Sequence, residues 1–244
     1  MDSSIQGRVA LVTGASRGIG AAIAVALAEA GAHVGVNYLS REAEAERVAG
    51  RIRESGCRAA AIAADVSQGA EVARLVGMTE AMLGPIDILV NNAGIGNKRD
   101  LDDLDEAEWD STIAVNLKSA FLCSQAVAPG MRKRGWGRIV NISSGAARGT
   151  GGVGVHYNAS KAGLEGLTRG YAARLAREGI TVNAVAPSLI ETEMLPLSRE
   201  EAERRIPLGR VGEAEEVAHA VLMVVTNPYM TGTTVQVNGG MFFI

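Results

Sequence analysis

Short runs rich in Val and Ile alternate along the chain with longer stretches whose apolar residues recur at helical spacing. The runs at 8–13, 33–38, 58–64, 86–91, 138–142, 181–186 and 233–237 read as strands. Most are apolar nearly throughout, which suits a parallel sheet covered on both faces rather than one half-wetted sheet. Between them, 18–30, 42–55, 70–83, 155–178 and 213–226 read as helices, and 106–134 as two helices in succession. Gly31, Gly56, Gly84-Pro85, Gly135 and Gly179 stand where these helices should stop. Strand and helix alternating this regularly predicts right-handed crossovers and an α/β fold, a doubly wound, Rossmann-type sheet of seven parallel strands.

Length alone leaves one or two domains open for 244 residues. No linker, repeat or low-complexity block interrupts the alternation, so the expectation is a single domain over 1–244. Aromatic residues make up only 4%, so the core must be built from Ala, Val, Ile and Leu. With 24 basic and 27 acidic residues the formal charge is −3, which gives no global pull toward nucleic acid or an anionic membrane. No apolar run is long enough for a membrane span, and the first seven residues do not resemble a signal peptide. Two cysteines without a C-x-x-C pair and three scattered histidines predict no metal site and no disulfide scaffold. A reducing, cytoplasmic setting is the expectation.

Two segments break the rhythm: the glycine-rich 143–154 and the long connection 188–210. Both follow strands, where loops of an open α/β sheet carry ligands. A third such loop, Thr13-Gly14-Ala15-Ser16-Arg17-Gly18-Ile19-Gly20, joins the first strand to the first helix. Its glycines allow a tight turn and a close approach of backbone amides to a pyrophosphate at a helix N-terminus. The second strand ends in Asn37-Tyr38-Leu39-Ser40-Arg41, with no carboxylate before Glu42. An acid at this point would repel a 2′-phosphate, whereas Arg17 and Arg41 could pair with one, so NADP(H) is favoured over NAD(H). Asp65-Val66 after the third strand and Asn92-Ala93-Gly94 after the fourth extend the same edge, although Asp and Asn there also serve as ordinary turn formers.

Tyr157 and Lys161 lie four residues apart near the start of a predicted helix and so share a face. An ammonium about 5 Å from a phenol, at an effective dielectric of about 20, stabilises phenolate by roughly 3 kcal/mol, or about two pKa units. The expectation is a tyrosine lowered into the range of general acid–base work. Ser144 at the end of the fifth strand could hold a substrate oxygen, and Asn116 could position a water near Lys161. His156, beside the tyrosine, reads as pocket-lining or exposed rather than catalytic.

TGASRGIG, NNAG, Asn116, Ser144 and Tyr157-x-x-x-Lys161, in this order, resemble the short-chain dehydrogenase/reductase family, with most likeness to its 3-oxoacyl-acyl-carrier-protein reductases. The resemblance implies that Tyr157 is the proton donor, Lys161 its partner and a ribose ligand, Ser144 the carbonyl-orienting hydroxyl and Asn116 the holder of a relay water. It also implies that Pro187, Ile190 and Thr192 touch the nicotinamide end. The implied activity is NADPH-dependent reduction of a 3-oxoacyl thioester or similar ketone. Homo-oligomers, tetramers or dimers, formed through the long helices are implied as well. Arg132, Lys133, Arg134, Arg174 and Arg177 offer a face for an acidic acyl carrier protein. Glu178, however, stands where those reductases place a basic residue, and Ser188 replaces a glycine. Segment 195–206 looks short for a lid. An NAD-dependent alcohol or sugar dehydrogenase would use the same residues, and a cofactor-binding sensor without catalysis is the rival from another class.

Overall fold

The computed structural model describes residues 4–195 and 197–243; positions 1–3, 196 and 244 lie outside them. Seven strands form one parallel sheet: β1 Val9–Val12, β2 His33–Tyr38, β3 Ala59–Ala63, β4 Ile86–Asn91, β5 Gly137–Ile142, β6 Ile180–Pro187 and β7 Thr234–Val237. Their order across the sheet is β3-β2-β1-β4-β5-β6-β7, so the winding reverses between β1 and β4. A crevice at the carboxyl ends of the strands beside such a reversal is where open α/β sheets take ligands.

Alternation along the strands divides the core, with one break where a register shift between Ile86 and Ile88 of β4 turns the chain over. Ala10, Val12, Val34, Val36, Ile88 and Val90 face one side, packed by α1 (Gly18–Glu29), α2 (Glu42–Glu54) and α8 (Ala214–Thr226). Val9, Leu11, Ile86, Leu89, Ile139 and Val182 face the other, under α3 (Gly69–Leu83), α5 (Ser119–Arg134) and α6 (Val155–Leu175). The inner strands β1, β4, β5 and β6 are buried at every position, in keeping with their largely apolar sequences. At the sheet's two edges, β3 is buried at alternate positions and β7 is only partly buried throughout.

Two differences from the sequence reading stand out. The stretch read as two helices is one helical path. Glu106–Ile113 (α4) runs through a π-helical turn at Ala114–Lys118 directly into α5. No breaker separates them, and the π turn carries the buried Asn116. The connection after β6 also contains a helix, α7 (Arg199–Arg205), opened by a capping box in which Ser198 and Glu201 satisfy each other's backbone amides. Ala202 and Ile206 fold against Val211, Leu189 and Met241 in a small core of their own. Among the described residues no helix is long and apolar enough to cross a membrane.

Ile88 sits fully buried in the central strand β4, between the two helical layers. Ile88→Ala should cost about 2–5 kcal/mol of stability. Urea unfolding followed by circular dichroism should show a lower midpoint with an unchanged slope.

Candidate active site

The turn between β1 and α1 is held by side chains from three strand ends. Gly14 and Gly18 take positive φ, 60° and 53°. The Thr13 hydroxyl accepts from the backbone amides of Asn92 and Ala93, both at 3.0 Å. The Asn92 amide donates back to the carbonyls of Thr13 and Gly14, at 2.9 and 3.1 Å. A side chain on Gly20 would collide with that amide, since its Cβ would lie 2.4 Å from Asn92 Nδ2. Helix α1 then begins with no capping side chain and no acidic residue in its first turn. An anion is what such a helix start lacks, so the turn formed by Gly14, Ser16, Arg17, Gly18, Ile19 and Gly20 fits a pyrophosphate.

Asn37 does not reach outward. Its Oδ1 accepts from the Gly14 amide and its Nδ2 donates to the carbonyls of Tyr38, Ile62 and Ala64, so this residue braces the turn from beneath. Val66 is buried. Asp65 folds one carboxylate oxygen onto the amide and hydroxyl of Ser67 in a local turn. Ser40 is exposed at the end of β2, beside Arg41. Arg17 and Arg41 converge on one carboxylate, that of Glu193.

Across the crevice, Ser144 follows β5 and Tyr157 lies in the first turn of α6. The Ser144 hydroxyl is near enough to act on the Tyr157 phenol, and it accepts from the Ala146 amide at 3.1 Å. Lys161 is buried, donates to the Ile142 carbonyl at 2.9 Å, and lies 5.6 Å from the centroid of the Tyr157 ring. The sequence-based expectation of a lowered tyrosine does not hold in the free protein. Burial raises the Tyr157 phenol above its ordinary value, and the Ser144 hydroxyl opposes only part of that rise. Burial meanwhile pushes the Lys161 ammonium down to about 8.

Asn116 is braced from three sides. Its Oδ1 accepts from the Ile95 amide at 2.8 Å, and its Nδ2 donates to the Ile95 carbonyl and the Ser160 hydroxyl, at 3.0 and 3.1 Å. Both side-chain hydrogens are engaged, which leaves Asn116 able to meet a water only as an acceptor. Gly94 leaves this corner open: a Cβ there would lie 3.3 Å from Asn116 Oδ1 and 3.5 Å from Lys161 Nζ. His156 is fully buried rather than exposed, its Nε2 paired with the Asn97 carbonyl at 3.1 Å. Pro187 ends β6 against Val237, and Ile190 is buried against Gly212. Thr192 lies over Gly18, its Cγ2 3.4 Å from where a Cβ would sit. Two of the five cations of the basic face are paired with carboxylates, Arg132 with Glu178 and Arg134 with Asp87. Thr13 and Glu193 are the residues that sequence reasoning left out of the site. A threonine closing a buried strand immediately before a glycine turn was the available signal for the first.

The family model described as short chain dehydrogenase matches residues 8–203. The chain belongs to the short-chain dehydrogenase family. It is 45% identical to the 3-oxoacyl-[acyl-carrier-protein] reductase FabG of Pseudomonas aeruginosa over 246 aligned positions, which cover 98% of this chain and 99% of that protein. It is 42% identical to Nodulation protein G of Azospirillum brasilense, covering 96% and 98%. A dehydrogenase/reductase structure from Sinorhizobium meliloti 1021 superposes with a TM-score of 0.92 at 36% identity, covering 99% of this chain and 98% of that one. As a short-chain dehydrogenase the protein is an NAD(P)-dependent oxidoreductase acting on CH–OH and C=O groups.

The buried ammonium has a consequence for stability. The unfolded chain keeps the Lys161 proton up to its ordinary value of 10.5, whereas the folded protein releases it near 8. Between these values the unfolded state binds more protons, so stability rises with pH. The opposing effect of the raised Tyr157 begins only above its ordinary value of 10.0. The buried Cys123 thiol, pushed up from 9.0 to about 12, opposes the gain from lower pH, because the unfolded chain loses that proton first. Urea unfolding should therefore show a net gain of about 1 kcal/mol between roughly pH 7.5 and 9.5. Lys161→Met should remove most of that gain, and its persistence in the variant would assign it to another group.

Proposed function

We propose that this short-chain dehydrogenase is an NADPH-dependent carbonyl reductase acting on a 3-oxoacyl thioester or similar ketone, with Tyr157 as the proton donor. The observation that carries the reading is the Tyr157 ring 5.6 Å from the buried Lys161 ammonium, with Ser144 beside the phenol, at the mouth of a crevice with an anion-ready helix start. The turn from Gly14 to Gly20 would hold the pyrophosphate. Arg17 and Arg41, with Ser40, would hold the 2′-phosphate, while Tyr38, Asp65 and Val66 would border the adenine. Asn92, Ala93 and Gly94 would line the middle of the cofactor, with Pro187, Ile190 and Thr192 at its nicotinamide end. When bound, the reduced nicotinamide supplies the hydride.

The protein's own groups do the rest. The Ser144 hydroxyl orients the carbonyl oxygen toward Tyr157, and the Tyr157 Oη–H transfers its proton to that oxygen as negative charge develops there. A phenol raised by burial is fully protonated at neutral pH, which is the form that reduction requires. Lys161, still mostly charged at neutral pH, stabilises the tyrosinate left behind. The name of the Pseudomonas relative supports the choice of a 3-oxoacyl substrate. The pairing of Arg132 with Glu178 argues that a carrier protein, if it delivers the substrate, docks elsewhere. Exposed Trp109 and Phe121 on α4 and α5 support subunit association through the long helices.

Tyr157→Phe keeps the ring but removes the proton. Steady-state assays with a 3-oxoacyl thioester should show turnover reduced by about two to four orders of magnitude. Cofactor affinity, followed by nicotinamide fluorescence, should change little. Near-normal turnover would reject the assignment of Tyr157, and a higher kcat/KM with NADH than with NADPH would reject the cofactor preference.

A further inference from the structure

Segment 192–194 closes over the crevice from the loop after β6, and Glu193 is what fastens it. Arg41 meets this carboxylate through both ends of its guanidinium, Nη1 to Oε1 at 3.4 Å and Nη2 to Oε2 at 3.2 Å, and Arg17 Nη1 pairs with Oε2 as well. On either side, Thr192 rests over Gly18 of the phosphate turn. The Met194 methyl group lies 3.1 Å from where Gly96 would carry a Cβ, and the Tyr157 ring edge lies 3.5 Å from the same point. The strap thus reaches from the arginine pair to the edge of the catalytic tyrosine.

Two guanidiniums around one carboxylate leave an excess positive charge at the fork. A phosphate monoester near neutrality carries between one and two negative charges and three acceptor oxygens, so it would satisfy both arginines more completely than Glu193 does. We infer that Glu193 is a cofactor-selectivity residue: its carboxylate occupies the 2′-phosphate position of the free protein and is displaced by that phosphate. This rests on the dinucleotide-site reading above. A ligand without the 2′-phosphate leaves the latch fastened, whereas one that carries it takes over the fork and frees the strap. Glu193 is 61% exposed and each arginine side chain 42%, so the latch is weak enough to be exchanged by a ligand. Glu44, whose Oε1 lies 4.0 Å from Arg41 Nη1, provides a neighbouring carboxylate outside the strap.

The test is calorimetric titration with 2′,5′-ADP and with 5′-AMP at low salt. It compares the wild-type protein with Glu193→Gln and, as a control for general loss of negative charge, Glu44→Gln. Glu193→Gln should bind 2′,5′-ADP about threefold to tenfold more tightly, a gain that shrinks as salt is raised, while 5′-AMP changes by less than about twofold. Glu44→Gln should stay close to wild type for both ligands. In the wild-type protein, 2′,5′-ADP should also speed hydrogen exchange at the amides of 192–194, and 5′-AMP should not. If 5′-AMP binds but Glu193→Gln leaves 2′,5′-ADP unchanged or weaker, the latch is wrong and the dinucleotide site stands. An equal gain in Glu44→Gln would likewise overturn the latch, and if neither ligand binds any of the proteins, both readings fall.

Discussion

The Thr13 hydroxyl ties together the two strands between which the sheet reverses its winding. It lies at the carboxyl end of β1 and accepts two backbone amides from the segment after β4. Those amides extend beyond the strand ladder and would otherwise be left unpaired in a partly buried place. With Asn92 bonding back to the turn and Asn37 bracing it from below, the glycine loop is fixed by hydrogen bonds before any ligand arrives. The side chains that hold it point inward and leave the backbone amides of the helix start facing the crevice. Binding then needs little further ordering of the loop.

The catalytic side is built on a comparable tie. Asn116, turned inward by the π-helical segment, grips both backbone groups of Ile95 and donates to the Ser160 hydroxyl. Ser160 in turn donates to the Tyr157 carbonyl at 2.7 Å. The chain of contacts therefore runs from the loop after β4, through the helical layer, to the first turn of α6. On the proposed mechanism Asn116 acts through the placement of Tyr157. The widened turn is the local irregularity that brings its amide into reach, in keeping with the tendency of π turns to mark functional places.

The sheet was legible because an inner parallel strand must be apolar on both faces, and few other elements share that signature. That Tyr157, Lys161 and Ser144 meet was legible from their spacing and from the ends of the elements that carry them. What escaped had a different physical origin. Helix α7 is polar on most of its surface, and only the Ser198–Glu201 capping box announced it. The single helical path through Asn116 gave no break in periodicity to count. The direction of the Tyr157 shift depends on how deeply the phenol is enclosed, which spacing along a helix does not report. Glu193 is exposed, and only folding across more than 150 residues brings it onto Arg41.

The small core formed by Ala202, Ile206 and Val211 stands apart from the two layers that flank the sheet. Packing changes there are shielded from the main scaffold, because distant sites without shared partners contribute nearly independently to stability. The segment after β6 can therefore diverge in sequence while the sheet and its glycine turn are preserved. That modularity gives one short-chain dehydrogenase scaffold room to reshape a whole peripheral segment by exchanging a few of its interior residues.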